Sequence, residues 1–155
     1  RNYAEWRTRT LHTQSECKTM TCITRKHLIN ISFASDVISC ELTHFINSDK
    51  ISLEFHFENN IIHATADDTW DCLRNLQNES IKFNINLLCA GLTENIHPSR
   101  MSRQMGDGSK AYILKLGFPA TKNDLISIFE IVDKSQIVSK EKQDIFYKKW
   151  LSSLN

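Results

Sequence analysis

Two histidines and two glutamates are spaced so that one hairpin could bring them together. Apolar and polar residues alternate up to residues 59–60, a pair of asparagines that tolerates the positive φ of a tight turn. A two-residue turn there predicts that His56 lies opposite His63, with Glu54 and Glu58 on the same face. Such a group could bind a metal ion or supply a general acid and base for hydrolysis. The alternative is an ordinary polar outer face, which is common in hairpins.

Cysteine and histidine side chains in the first third of the chain could bind zinc. Cys17 and Cys22 are followed by Cys40 and His44, with His27 as a spare ligand. The spacing differs from the common zinc patterns, and free cysteines are commonly buried as small apolar side chains. We therefore expect no bound metal and no other cofactor.

Three of the four glycines lie in residues 102–117, beside basic side chains. A phosphate-binding P-loop needs a different glycine spacing and must lead into a helix, because the helix N-terminus binds the phosphate. Residues 110–117 have a strand-like pattern, which argues against a P-loop. A turn in which Gly106 and Gly108 take positive φ explains the glycines better. A looser anion site is the alternative, and it would use Arg100, Arg103 and Lys110.

An acidic block in the middle of the chain is the strongest candidate for a binding surface. Trp70 lies within this block and could anchor a partner if it is exposed. The acidic residues could steer a basic partner by complementary charge. The alternative is a helix cap together with an ordinary solvated face. The carboxylates in question are Glu54, Glu58, Asp67, Asp68 and Asp71.

Length and charge limit the possible classes of protein. The 155 residues predict a single globular domain over residues 1–155. A net charge of +1 gives no basic excess, so we expect neither direct nucleic-acid binding nor membrane binding. Five cysteines without regular spacing do not suggest a disulfide framework, and no segment resembles a signal peptide or a membrane span. These features favour the cytoplasm.

The positions of the candidate residues depend on the predicted strands and helices. Strands are predicted at residues 27–33, around 37–45, in the hairpin, at 81–88 and at 110–117, with a long loop over 91–109. Residues 123–132 fit either a helix or a strand. Runs of strands with short connections predict an α+β fold, with a mostly antiparallel sheet and helices packed on one face.

Two helices are predicted. The first covers residues 67–80, with Asp67 or Asp68 as its N-cap. The second covers residues 139–155 and should dock on the sheet through an apolar stripe. That stripe consists of Ile145, Phe146, Trp150, Leu151 and Leu154.

Three segments resemble immunity proteins of bacterial contact-dependent-inhibition and polymorphic toxin systems. They are residues 97–117, the helix at 67–80 and residues 143–154, and the turn at 105–112 is the most specific part. Arg100 departs from the family pattern, in which glycine is common after Pro-Ser. The resemblance implies a cytoplasmic, non-enzymatic protein that binds one cognate toxin domain and blocks it.

Immunity is therefore the predicted function, with the acidic block as the contact surface, because many such toxins are basic nucleases. A small metal-dependent or nucleolytic hydrolase using His56 and His63 is the alternative. A zinc-stabilised interaction module is the third hypothesis.

Overall fold

The computed structural model describes residues 22–155, in which alternating segments form a five-stranded antiparallel sheet. Its strands pair in the order β4-β3-β2-β1-β5. The predicted strands at 27–33 and 37–45 and the predicted hairpin are confirmed. The strands are β1 (Ile23–Phe33), β2 (Asp36–Ile46), β3 (Ile51–Phe57), β4 (Asn60–Ala66) and β5 (Ile85–Leu87).

A smaller antiparallel sheet is formed by later segments, in the order β6-β7-β8. Its strands are β6 (Ile96–His97), β7 (Lys110–Ile113) and β8 (Leu125–Ser127). The α-helices of the described part are α1 (Thr69–Ile81), α2 (Arg100–Met105) and α3 (Lys140–Ser153). The fold is α+β, with helices packed on an antiparallel sheet, as predicted. None of these helices is long and apolar enough to cross a bilayer.

The core lies between one face of the large sheet and α1. Alternate residues of each strand point toward the helix, as the period of two requires. Leu53 and Phe55 of β3 are 0% and 1% exposed, and Trp70 and Leu73 of α1 are both 0% exposed. Ile128, just after β8, joins the same cluster, so the two sheets share one apolar contact region.

The strand predicted over 81–88 is largely wrong, because α1 continues to Ile81. Asn84 then reverses the chain with φ of 60°, so only β5 remains extended. Ile81 and Phe83 are 52% and 39% exposed instead of facing the core. The apolar residues of this segment therefore alternate for two separate reasons. Ile81 and Phe83 lie at the end of a helix, whereas Ile85 and Leu87 lie in a short strand.

The apolar stripe predicted for α3 is also wrong in part. Ile145 and Leu151 are 66% and 44% exposed. The helix docks through the predicted Trp150 together with Gln143 and Tyr147, at a spacing of four and three residues. Its contacts are mainly with the small sheet and the segments around it.

The loop predicted over 91–109 contains β6 and α2. Gly106, at the end of α2, has φ of −120°, so the prediction of a positive φ there is wrong. Gly108 has the predicted positive φ, 78°, and Asp107 beside it has φ of 59°. The ambiguous segment at 123–132 includes β8.

Candidate functional site

The N-terminus of α1 meets the glycine turn. Asp68 is the N-cap and its Oδ1 accepts the backbone N–H of Asp71 at 2.8 Å. Asp107 of the turn accepts the N–H of Thr69 through its carbonyl, at 2.7 Å. A Cβ at Gly108 would lie 3.2 Å from the backbone nitrogen of Trp70. The glycine therefore permits close packing of the turn against the helix as well as its φ.

Arg103 of α2 neutralises part of the acidic block. Its Nε lies 2.6 Å from Asp68 Oδ2, and its Nη2 lies 2.5 Å from Asp71 Oδ2. A guanidinium bridging two carboxylates fixes α2 against the start of α1. The anions that Arg103 binds are therefore the carboxylates of Asp68 and Asp71.

A cleft of about 460 Å³ opens beside this ion-pair cluster. His97 and Tyr147 form one wall as a stacked pair, with ring centroids 3.7 Å apart and planes 9° apart. Burial lowers the pKa of His97, partly offset by its hydrogen bond to the Pro98 carbonyl, 2.8 Å from Nδ1. The lining residues are Asp67, Asp68, His97, Pro98, Arg100, Arg103, Gln104 and Tyr147. The cleft therefore combines acidic, basic and aromatic groups.

Two of the predicted partner-binding residues do not lie at the surface. Glu54 and Trp70 are both 0% exposed, so the expectation that they contact a partner is corrected. Trp70 is a core residue on the buried face of α1, and its ring centroid lies 5.4 Å from that of His97. The sequence did not predict this burial, because Trp70 is flanked by acidic residues, which are typical of a solvent-exposed helix start.

The other predicted partner-binding residues are accessible to different degrees. The side chain of Asp67 is 90% exposed and lies 3.3 Å from Lys50. Glu58 is exposed at the hairpin turn, with φ of 55°. Asp71 is 43% exposed but paired, and Asp68 is mostly buried as the cap. Asp67 and Glu58 thus remain as acidic groups open to a partner.

The predicted register of the hairpin is wrong. The tight turn is at residues 58–59, so His63 pairs with Glu54 and His56 pairs with Ile61. The turn lies one residue earlier than predicted, which shifts the strand pairing by two residues. Because side chains alternate with a period of two, Glu54, His56 and His63 remain on one face of the hairpin. His56 Nε2 lies 4.0 Å from Glu54 Oε2. The structure therefore places the His56 imidazole beside a buried carboxylate and pairs His63 with the same glutamate across the strands, without placing the two histidines opposite each other.

The zinc hypothesis lies partly outside the described residues, since Cys17 precedes them. His44 is engaged by hydrogen bonds, and burial raises the pKa of the Cys40 thiol to about 11, which disfavours the thiolate that zinc binds. Within residues 22–155, no three His, Cys, Asp or Glu side chains are grouped to hold a metal ion.

A pair formed by the buried His44 and the half-buried His27 was missed as a unit. His27 Nε2 lies 3.1 Å from His44 Nδ1, and His44 Nε2 lies 3.0 Å from Thr69 Oγ1. The ring of His27 stacks on Phe129 with centroids 4.1 Å apart. The sequence did contain one signal. Each histidine is an even number of residues from apolar neighbours in its strand, so His27 and His44 fall on the same strand face as those neighbours.

Comparison with known proteins adds no family assignment. The chain matches no protein-family model, and no curated protein matches it. A function must therefore be argued from the residues, the resemblance described above and the geometry of the cleft.

Proposed function

We propose that this protein is a cytoplasmic immunity protein. It binds one cognate bacterial toxin domain and neutralises it by covering the active site or substrate groove. The proposal is supported by the resemblance of three sequence segments to contact-dependent-inhibition immunity proteins. The structural observation that supports a binding surface is the open cleft at the start of α1.

The surface around the cleft has the chemistry of a protein interface. Interface centres are enriched in aromatic residues, methionine and arginine, with charged groups at the rim. Tyr147 and Arg100 line the cleft, and Met101 on the same helix is 69% exposed. Asp67 supplies an exposed carboxylate that attracts a basic partner such as a nuclease domain. Binding by this surface needs no cofactor and no nucleic acid.

Co-expression tests the function directly. The polypeptide encoded beside this gene would be expressed with and without the protein, and growth and complex formation would be measured. We expect the neighbouring polypeptide to arrest growth alone, and the protein to restore growth by forming a stable complex with it. A neighbouring polypeptide that is harmless, or that is not bound, would contradict the proposal.

Charge reversal tests the surface separately from the function. Asp67→Lys removes an exposed carboxylate and should weaken toxin binding by about tenfold at low salt, with a smaller effect at high salt. Glu130→Lys is the matched control, because Glu130 is exposed and does not line the cleft. If both variants bind alike while the complex still forms, the toxin contacts another face.

The alternative function, a small hydrolase, is favoured by the Glu54, His56 and His63 group alone. The Glu54 carboxylate lies 4.0 Å from His56, and His63 pairs with Glu54 across the strands, so the residue types of a general acid and base occur together here. Hydrolysis of nucleic acid or ester substrates by the purified protein, lost in His56→Ala and His63→Ala, would establish this function instead. Absence of turnover with and without added divalent metal would count against it.

A further inference from the structure

A second cleft, of about 350 Å³, lies between the C-terminal half of α1 and the start of α3. Arg74 and Lys140 contribute its positive charge, and Gln77 and Asn86 contribute side-chain amides. Its apolar wall consists of Ile81, Leu92, Ile137 and Val138. This cleft does not share any lining residue with the one at the start of α1.

Arg74 is the most unusual group in this cleft, because its side chain is only 8% exposed. Its Nη2 donates to Asp144 Oδ1 at 3.0 Å, and its guanidinium carbon lies 5.2 Å from the ring centroid of Trp70. Its Nε meets no hydrogen-bond acceptor among the described residues. The carboxylate of Asp144 is 46% exposed, so a nearly buried cation is balanced by one partly solvated anion. A second anion in the cleft would stabilise this arginine.

The start of α3 adds further positive potential. Ser139 caps the helix by accepting the N–H of Lys142, and its carbonyl accepts the N–H of Gln143. The N–H groups of Lys140 and Glu141 have no acceptor within the helix, as in the first turn of any α-helix. Because α3 is 14 residues long, its dipole places partial positive charge at this end.

The floor of the cleft is held in place by hydrogen bonds. Gln77 Nε2 donates to Asn86 Oδ1 at 3.1 Å, and Gln77 Oε1 accepts the N–H of Leu87 at 2.9 Å. These bonds tie α1 to β5, so the amides are positioned before any ligand arrives. Glu141 and Asp144 limit the net positive charge, which suits a singly charged anion better than a phosphate dianion.

We propose that this cleft binds a small organic monocarboxylate. The carboxylate lies between Arg74 and the first turn of α3, and its short hydrocarbon body lies against the apolar wall. The proposal is independent of toxin binding, because the site is on a different part of the surface.

Titration of the full chain with isobutyrate, followed by amide chemical shifts, tests the proposal. We expect saturable shifts at residues 139–141 and at the Arg74 side chain, and none with isobutyramide, which has the same shape without the charge. Equal shifts with isobutyramide, or shifts that are scattered and unsaturable, would overturn it. Tighter binding of inorganic phosphate would overturn the monocarboxylate assignment.

Variants test the assigned residues. Lys140→Gln should weaken isobutyrate binding severalfold, while Lys142→Gln, exposed on the same helix turn and outside the cleft, should leave it unchanged.

Arg74→Lys should weaken isobutyrate binding by about tenfold if the variant folds. Asp144→Asn removes the competing carboxylate and should tighten binding. An Asp144→Asn variant that binds isobutyrate no better, or Lys140→Gln and Lys142→Gln variants with equal affinity, would refute the site.

Discussion

The two sheets are held in the fold by different kinds of contact. The large sheet covers α1 with apolar side chains such as Leu53 and Phe55, which are almost completely buried. The small sheet region receives α3 through polar and aromatic contacts: Gln143 donates to two carbonyls, and Tyr147 stacks on His97. Apolar burial tolerates small displacements, whereas hydrogen bonds and stacked rings depend on geometry. The first region should therefore dominate global stability and the second should control local opening.

The largest effect is expected from the core of the large sheet. Phe55→Ala removes a ring that is 1% exposed and should lower the free energy of unfolding by about 3–5 kcal/mol, through lost burial and a residual cavity. Urea denaturation would measure the loss. Phe83→Ala is the control: Phe83 is 39% exposed, and its truncation should cost less than about 1 kcal/mol. Equal losses would mean that the large sheet does not dominate stability.

Acid should destabilise the fold where His44 of the large sheet contacts Thr69 of α1. Burial, followed by the charge of His27, lowers the pKa of His44 to about 4, whereas an imidazole in the unfolded chain titrates near 6.5. Between these values the unfolded chain binds more protons, so stability falls as pH decreases. The contribution is complete above about pH 6.5 and declines by up to about 3 kcal/mol toward pH 4. His27 and His97, whose pKa values burial also lowers, act in the same direction.

Unfolding midpoints measured across this pH range would check the effect. His44→Gln should reduce the pH slope even if it lowers stability at neutral pH. A slope that survives His44→Gln would assign the acid sensitivity to other groups.

Sequence patterns captured the apolar region much better than the polar one. β-branched and aromatic composition predicted β1 and β2, alternation predicted the hairpin of β3 and β4, and the capping aspartate with the acidic first turn predicted α1, because these signals are local. The same reasoning failed at residues 81–88, where two apolar residues at a helix end imitate a strand. It also failed for part of the docking face of α3, which contains Gln143 as well as the predicted Trp150. No periodicity identifies a glutamine as buried, since its partners are carbonyls some fifty residues away in the chain.

The candidate site shows the same limit. Asp68 and Asp71 were recognised as acidic, and Arg103 as basic, yet nothing in their spacing showed that they form one cluster. The pairing depends on α2, a six-residue helix inside a segment that the glycines identify as a loop. Trp70 and Glu54 were misassigned for a related reason, because polar neighbours in sequence say little about tertiary burial.

Docking of α3 should depend on one glutamine. Gln143→Leu keeps the side chain buried but leaves the carbonyls of Gly91 and Thr93 without this donor, which should cost about 2 kcal/mol. Hydrogen exchange should show loss of protection in α3 before α1, as a locally opened state would. Lys142→Leu, at an exposed position, should change neither. Equal loss of protection in both helices would mean that the two regions unfold as one unit.

The smallest effect is expected where α2 meets α1. Arg103→Met removes both ion pairs to Asp68 and Asp71, and since the Arg103 side chain is 33% exposed, we expect a loss of only about 1 kcal/mol. The loss should shrink at high salt, because solvent ions screen the partly exposed carboxylates. Arg100→Met, on the same helix and exposed, is the matched control and should have no measurable effect on urea unfolding. A loss for Arg103→Met that is as large as that for Gln143→Leu and independent of salt would show that this cluster acts as a buried network. In that case the polar contacts at the start of α1 would stabilise the fold as strongly as those that dock α3.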